Sequence, residues 1–303
     1  MADFSALPGE DLDSALGRAS VYLAEAGVES SQADSQLLAA YLLEKQTGEP
    51  VSRGRVQTLA LLGTPVPADF DRLVTLRGQR IPLQHLTGQA HFRGLTLSVG
   101  PGVFVPRPET ELLVEHAVVE YQRRVAKGTL PHRPLVLDLC TGSGAIAASL
   151  ATELAGAEVL AVELSKDAAA WAERNLDGTG ARLVRGDALT ALEELKGQVT
   201  LVASNPPYIP QGAVPKDPEV RDHDPALALY GGGEDGMELP SAIAYRAYDL
   251  LAPGGYLIME HAETQRELMR QAFEKAGFER TESIDDLAGK PRHTSGYKPV
   301  SKS

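Results

Sequence analysis

The sequence predicts an α/β fold, an open sheet of parallel strands with flanking helices, preceded by a small N-terminal helical bundle and joined to it by a β-hairpin. Three observations carry this. From Pro134 onward, short apolar runs of strand length alternate with segments of helical periodicity. Between Asp11 and Arg80, apolar residues recur at helical spacing instead. Between these regions, HFRGLTLSVGPGVFVP turns to partial alternation around glycines. A chain of 303 residues suits one ordinary domain plus a smaller one. The expected boundaries are 1–84 for the helical domain, 85–108 for the hairpin linker and 109–303 for the sheet domain.

In the helical domain, Leu12, Leu16, Ala19 and Leu23 form one apolar stripe, and Ala33, Leu37, Ala40 and Tyr41 a second. Gly27, Gly48, Gly63 and Pro65 stop or turn these segments. In the linker, Phe92, Leu95, Leu97 and Val99 give one arm, Gly100-Pro101-Gly102 the turn, and Val103-Phe104-Val105 the returning arm. Pro106 and Pro108 end it. Pro108 followed by Glu109 and Glu111 suits the first turn of a helix through Leu112, Leu113, Glu115 and Ala117, where a missing N–H costs nothing and acids meet the positive dipole end. The sheet domain then reads PLVLDLC and GAIAASLATELAG, EVLAVEL and SKDAAAWAERNL, LVRG, VTLVASN, and finally GYLIMEH and QRELMRQAFEKAG. This is a Rossmann-like open sheet, in which ligands bind at the carboxyl ends of the strands. Trp171 is assigned to the packing between helix and sheet.

Composition narrows the function. Hydrophobic content of 43% with 23% charged residues belongs to a globular chain able to bury a core. The acidic start MADFSALPGEDLD does not read as a secretory signal, and no apolar run approaches the roughly 20 residues needed to span a bilayer. A cytoplasmic monomer without membrane association is expected. The single Cys140 excludes an internal disulfide, and the seven histidines lack zinc-site spacing, so no metal is expected. A net charge of −12 argues against direct nucleic-acid binding, which depends on clustered Lys and Arg.

The strand PLVLDLC carries Asp138 near its end and opens through Cys140 into Thr141-Gly142-Ser143-Gly144 before a helix. Glycines there admit close backbone approach, and a helix N-terminus favours an anionic group. The same Gly142-x-Gly144-x-x-Ala147 spacing also fits a dinucleotide, so a nicotinamide oxidoreductase stays open at this point. Glu163 stands at the next strand end, about 20 residues on, where an acid accepts hydrogen bonds from ribose hydroxyls. Asp187, after the third strand, is placed to reach an adenine amino group. Cys140 has no basic partner in sequence and reads as a packing residue of the loop, not as a nucleophile.

Asn205-Pro206-Pro207-Tyr208, after VTLVASN, is the most informative tetrapeptide. Consecutive prolines fix φ and remove donors, so the Pro206 carbonyl can be held rigidly toward a ligand, and the Asn205 side chain adds a second acceptor. Two fixed acceptors suit the two N–H bonds of an NH₂ group, and Tyr208 offers a face to a planar amide or base. A delocalised nitrogen is a poor nucleophile; holding both hydrogens and aiming its lone pair at a sulfonium methyl lets positioning and electrostatics carry catalysis. This favours methyl transfer from S-adenosylmethionine over hydride transfer. A protein-binding module that keeps the cofactor only as a structural ligand is the non-enzymatic alternative, which Asn205 and Tyr208 argue against.

The segments IPLQHLTGQAHFRGLTLSV, VFVPRPETELLVEHA, DLCTGSGAIA, SNPPYIP, EVRDHDPALALYGGGEDGM and DDLAGKPRHT, spanning residues 81 to 293, resemble the release factor glutamine methyltransferases. The tetrapeptide is shared with adenine methyltransferases, whereas VPRPETE and VRDHDPALALYGG are particular to this family. The resemblance implies an S-adenosylmethionine-dependent methyltransferase fold, with S-adenosylhomocysteine as product. Its substrate would be the glutamine amide nitrogen (N5) in the Gly-Gly-Gln motif of class I peptide chain release factors. It implies that Asp138, Cys140, Thr141, Gly142, Ser143, Gly144, Glu163, Asp187, Ala188 and Asn205 line the cofactor site. Asn205, Pro206, Pro207 and Tyr208 would grip the amide, Phe104 would form another wall, and Arg107 and Glu109 are either site or salt-bridge residues. Cys140 stands where the family usually has glycine, and Glu163 where aspartate is more frequent. The alternative substrate is adenine N6 of a flipped base, against which the acidic balance weighs.

Overall fold

The computed structural model describes residues 3–300, which form two compact units. The first runs to Gln89 and also takes in Pro215–His223. It contains α1 (Leu12–Glu25), α2 (Ser31–Thr47), α3 (Arg53–Leu61), α4 (Phe70–Gly78) and α5 (Leu83–Thr87). Asp11 starts α1 by accepting from the Ser14 amide at 2.8 Å, and Ser52 starts α3 by accepting from Arg55 at 3.2 Å. α1 buries its expected stripe Leu12, Leu16, Ala19 and Leu23, whereas α2 turns Leu38, Ala39, Leu42 and Leu43 toward Val56, Phe70 and Leu73 and leaves Ala33, Leu37 and Tyr41 of the expected stripe half-buried, with only Ala40 inside. Burial of that many large side chains, at roughly 1.5–3 kcal/mol each, holds helices too short to persist alone. The returning segment was not expected here: Glu219 accepts hydrogen bonds from Arg77 and Arg80, both at 2.7 Å, and Arg77 also donates to Asp34 at 2.7 Å.

The second unit begins at Ala90, inside the hairpin of β1 (Gln89–Phe92) and β2 (Leu95–Ser98), and continues into α6 (Pro108–Ala126) with Pro108 in its first turn. Gly100-Pro101-Gly102 does turn the chain, but it is not the reversal of the hairpin. The strands reverse at Arg93-Gly94, where φ values of 46° and 77° give the two left-handed residues of a tight hairpin. Val103-Phe104-Val105 form no strand among the described residues; Val103 and Val105 are instead buried as core side chains. Trp171 is corrected too: its indole donates to the Pro101 carbonyl at 3.3 Å, and it packs with Ala90, Val99 and Val103 under that turn. Gly100 makes this possible, since a Cβ there would lie 2.7 Å from the indole.

The sheet domain continues as β3 (Leu135–Leu139), α7 (Ala145–Glu153), β4 (Glu158–Glu163), α8 (Lys166–Leu176), β5 (Arg182–Arg185) and β6 (Val199–Ser204). A short α9 (Pro218–His223), in the first unit, and α10 (Ala226–Leu229) precede α11 (Glu238–Leu250), β7 (Leu251–Glu260), α12 (Arg266–Ala276), β8 (Glu279–Asp285) and β9 (Pro291–Tyr297). Seven strands order as β5-β4-β3-β6-β7-β9-β8. The first five are parallel; β9 and β8 add antiparallel. Alternation sends Val136 into one core with α6 and α7, and Leu137 and Leu139 into another with α11 and α12. The strand order reverses between β4 and β6 on either side of β3, so the crevice expected of such sheets opens at the carboxyl ends of β3, β4 and β6.

Candidate active site

Three strand ends meet at this crevice. After β3, the chain turns through Cys140 (φ 64°), Gly142 (57°) and Gly144 (85°), all left-handed. Cys140 therefore occupies a conformation that costs an L-residue about 1–2 kcal/mol and glycine nothing. Its thiol is pushed up by burial and by the Glu163, Asp138 and Asp187 carboxylates, the opposite of thiolate activation. The Thr141 amide bonds the Val162 carbonyl of β4 at 2.9 Å, and Asn175 of α8 donates to the Ser143 carbonyl at 2.9 Å. A Cβ at Gly144 would press against Leu176 at 3.3 Å, while around Gly142 the space is open.

Asp138 is fully buried. Its Oδ2 accepts from the Thr141 hydroxyl and, at 3.1 Å, from the Ala147 amide, but Oδ1 has no partner among the described residues. Burial pushes its carboxyl up to about 7, with the Glu163 charge adding to the effect. A buried carboxylate oxygen without a donor suits a cationic N–H group. Glu163, at the end of β4, accepts from Gly142 N at 2.8 Å and Ser165 N at 2.7 Å through different oxygens. Each oxygen keeps acceptor capacity for hydroxyl donors, and burial again raises its pKa. Asp187 follows β5 and accepts from Leu189 N at 2.9 Å, with Ala188 buried beside it.

Asn205 leaves β6 one residue beyond Ser204, whose hydroxyl donates to the Leu139 carbonyl at 2.6 Å and so ties the two strand ends together. Pro206 and Pro207 are buried and Tyr208 is half-buried. Supports beneath the tetrapeptide lie outside the residues singled out from sequence. Gln265 donates to the Tyr208 carbonyl at 2.8 Å and the Asp235 carbonyl at 2.7 Å. Gly231 and Gly236 pass so close that a Cβ would come within 2.6 Å of the Pro207 carbonyl or 2.2 Å of the Tyr208 carbonyl. The glycines of YGGGEDGM were a signal of such close approach.

Asn205 Nδ2 donates to the Thr110 hydroxyl at 3.3 Å, and Thr110 donates to Glu260 Oε2 at 2.7 Å. The Tyr208 hydroxyl reaches Glu260 Oε1 at 3.4 Å. Tyr208 is pushed up by burial and the Glu260 charge, which keeps it a neutral phenol. Of the two residues left between site and salt-bridge roles, Arg107 bonds Asp224 at 2.8 Å and lies 5.0 Å over the Phe104 ring, so both roles meet in it. Glu109 occupies the first turn of α6. The arrangement offers a carboxylate and open glycine loop after β3, an acid after β4, and an amide with an aromatic ring after β6.

Residues 136–215 match the family model of a methyltransferase domain, and residues 14–88 match that of the PrmC N-terminal domain. The chain is 45% identical over 291 residues to the release factor glutamine methyltransferase of Streptomyces coelicolor, covering 94% of this chain and 97% of that one. It is 42% identical over 268 residues to the 4-amino-L-phenylalanine/4-methylamino-L-phenylalanine methyltransferase of Streptomyces pristinaespiralis, with 88% of each chain covered. The crystal structure of the release factor-specific protein-(glutamine-N5) methyltransferase from Alicyclobacillus acidocaldarius is similar at 28% identity and a TM-score of 0.41, over 67% of this chain and 99% of that chain.

Proposed function

Because the chain belongs to the release factor glutamine methyltransferases, we propose that it methylates the side-chain amide nitrogen of the glutamine in the Gly-Gly-Gln motif of class I release factors. The observation that carries this reading is the placement of Asn205-Pro206-Pro207-Tyr208 at the end of β6, beside the glycine loop that follows the adjacent β3. The cofactor is S-adenosylmethionine, which supplies an electrophilic sulfonium methyl and leaves as S-adenosylhomocysteine. The residues fit it. Asp138 Oδ1 lacks a donor that a ligand ammonium would provide, Gly142 leaves open space, and Glu163 retains capacity for ribose hydroxyls. Cys140 through Gly144, Asp187, Ala188 and Asn205 complete that lining.

Asn205 and the Pro206 carbonyl accept the two amide hydrogens, and Tyr208 and Phe104 flank the planar group. This holds the nitrogen with its lone pair toward the methyl and sheds water from a weak nucleophile. No strong base is needed before attack; the surplus proton leaves from the N-methylated amide to water or a backbone acceptor. Residues 1–84 recognise the release factor. The setting is the cytoplasm, where release factors act, and the chain works as a monomer. An adenine substrate is not favoured by a chain of net charge −12.

The relative that takes 4-amino-L-phenylalanine raises one competitor, a free aromatic amine, which the same grip would serve. Purified protein with S-adenosylmethionine is offered an unmodified class I release factor and free 4-amino-L-phenylalanine in parallel. A higher kcat/KM for the release factor is expected; transfer to the free amino acid alone would replace the proposed substrate.

A further inference from the structure

The amide of Asn205 is useful to a substrate NH₂ only if its oxygen, not its nitrogen, faces the ligand. The two orientations have nearly the same shape, so the hydrogen-bond network must choose between them. Asn205 Nδ2 lies 3.3 Å from Thr110 Oγ1, and Thr110 Oγ1 lies 2.7 Å from Glu260 Oε2. A threonine hydroxyl has one hydrogen. When a carboxylate takes it, the hydroxyl can only accept from the other side, so it must be met by the Asn205 NH₂.

The fold builds this chain from three distant places. Ser204 pairs with Met259 in register, so Asn205 and Glu260 leave adjacent parallel strands side by side, and Thr110 reaches them from the first turn of α6. Thr110 and Glu260 are both buried, at 4% and 3% exposure, where a wrong polarity has no water to repair it. The same carboxylate takes the Tyr208 hydroxyl at 3.4 Å, and His293 stands opposite Glu260 on β9 with its Nε2 3.7 Å away.

We propose that Thr110 and Glu260 are positioning residues that fix the Asn205 amide with its oxygen toward the substrate, Glu260 setting the direction of the relay and Thr110 transmitting it. The inference rests on the amide-grip reading above. It also explains why Thr110 sits in the VPRPETE segment, far from the tetrapeptide in sequence.

The sequence contains two asparagines, Asn175 and Asn205, so protein labelled with [15N]asparagine shows two side-chain NH₂ pairs. Asn205→Asp assigns them, and Asn175, bonded to Ser98 and Ser143 carbonyls at 2.9 Å, is an internal reference. In Thr110→Val the Asn205 pair should shift and exchange faster with water while the Asn175 pair stays. With release factor as substrate, kcat should fall by about tenfold or more with unchanged S-adenosylmethionine affinity, and Thr110→Ser should restore both signals and kcat. Glu260→Gln, whose amide can donate to Thr110 and reverse the relay, should resemble Thr110→Val. An unmoved Asn205 pair in Thr110→Val, or a Thr110→Ser protein as impaired as Thr110→Val, overturns the relay. Wild-type protein that shows the expected NH₂ signals but methylates no release factor overturns the substrate reading and leaves the relay standing.

Discussion

Replacing Asp138 by asparagine should flatten the dependence of stability on pH. Asp138 is fully buried, one oxygen lacks a donor, and its carboxyl is pushed up to about 7 from an ordinary value of 3.8. The folded pKa lies above the unfolded one, so the group's contribution is complete below about pH 4 and is lost as pH rises through about 7. Between pH 5 and 8 the ligand-free protein should lose roughly 2–3 kcal/mol through this group, at about 1.4 kcal/mol per pH unit while the native state alone holds the proton. Urea unfolding of wild type and Asp138→Asn at both pH values isolates it, because other groups contribute alike to the two proteins. Asparagine cannot titrate, so the difference between the proteins should itself change by roughly 2–3 kcal/mol. Equal pH dependence in the two would refute the buried, donor-poor account of Asp138. If a ligand ammonium supplies the missing donor, S-adenosylmethionine should also bind more tightly at pH 8 than at pH 6 in wild type, and not in Asp138→Asn.

At Cys140, held at φ 64°, glycine should be more stable than alanine by about 0.5–1 kcal/mol, since relief of left-handed strain exceeds the entropy glycine adds to the unfolded chain; thermal unfolding of Cys140→Gly and Cys140→Ala gives the order, and alanine being the more stable would remove the strain argument. Glu219→Ala takes from Arg77 and Arg80 their shared buried partner, Arg77 keeping Asp34, and should destabilise the helical unit by about 1–3 kcal/mol, read by hydrogen exchange in α2 and α4. Asn205→Ala should lower turnover on a release factor by about a hundredfold, much more than it weakens S-adenosylmethionine binding measured by calorimetry. Equal turnover by that variant would end the amide-grip account.

What could be read beforehand follows from how local each signal is. β3, β4 and β6 announce themselves as apolar runs, and Asp138, Glu163 and Asn205 were placed because each stands at or beside the end of such a run. The start of α6 was legible because Pro108 and its acids form a local signature. The Arg93-Gly94 turn was hidden by the more conspicuous Gly100-Pro101-Gly102, and β8 and β9 by polar strands such as ERTESID whose alternation is weak. Thr110 lies 150 positions from Glu260 and 95 from Asn205, and Gln265 lies 57 from Tyr208; no periodicity links such pairs. The docking of Glu219 onto Arg77, 142 positions away, was hidden for the same reason.

Incubating the protein with S-adenosylmethionine and an unmodified class I release factor, then locating any added methyl group by peptide mass spectrometry, decides the substrate. A single methyl on the glutamine side chain of Gly-Gly-Gln is the expected product. A methyl on any other residue, or no transfer by protein shown to bind the cofactor, would contradict the proposed substrate.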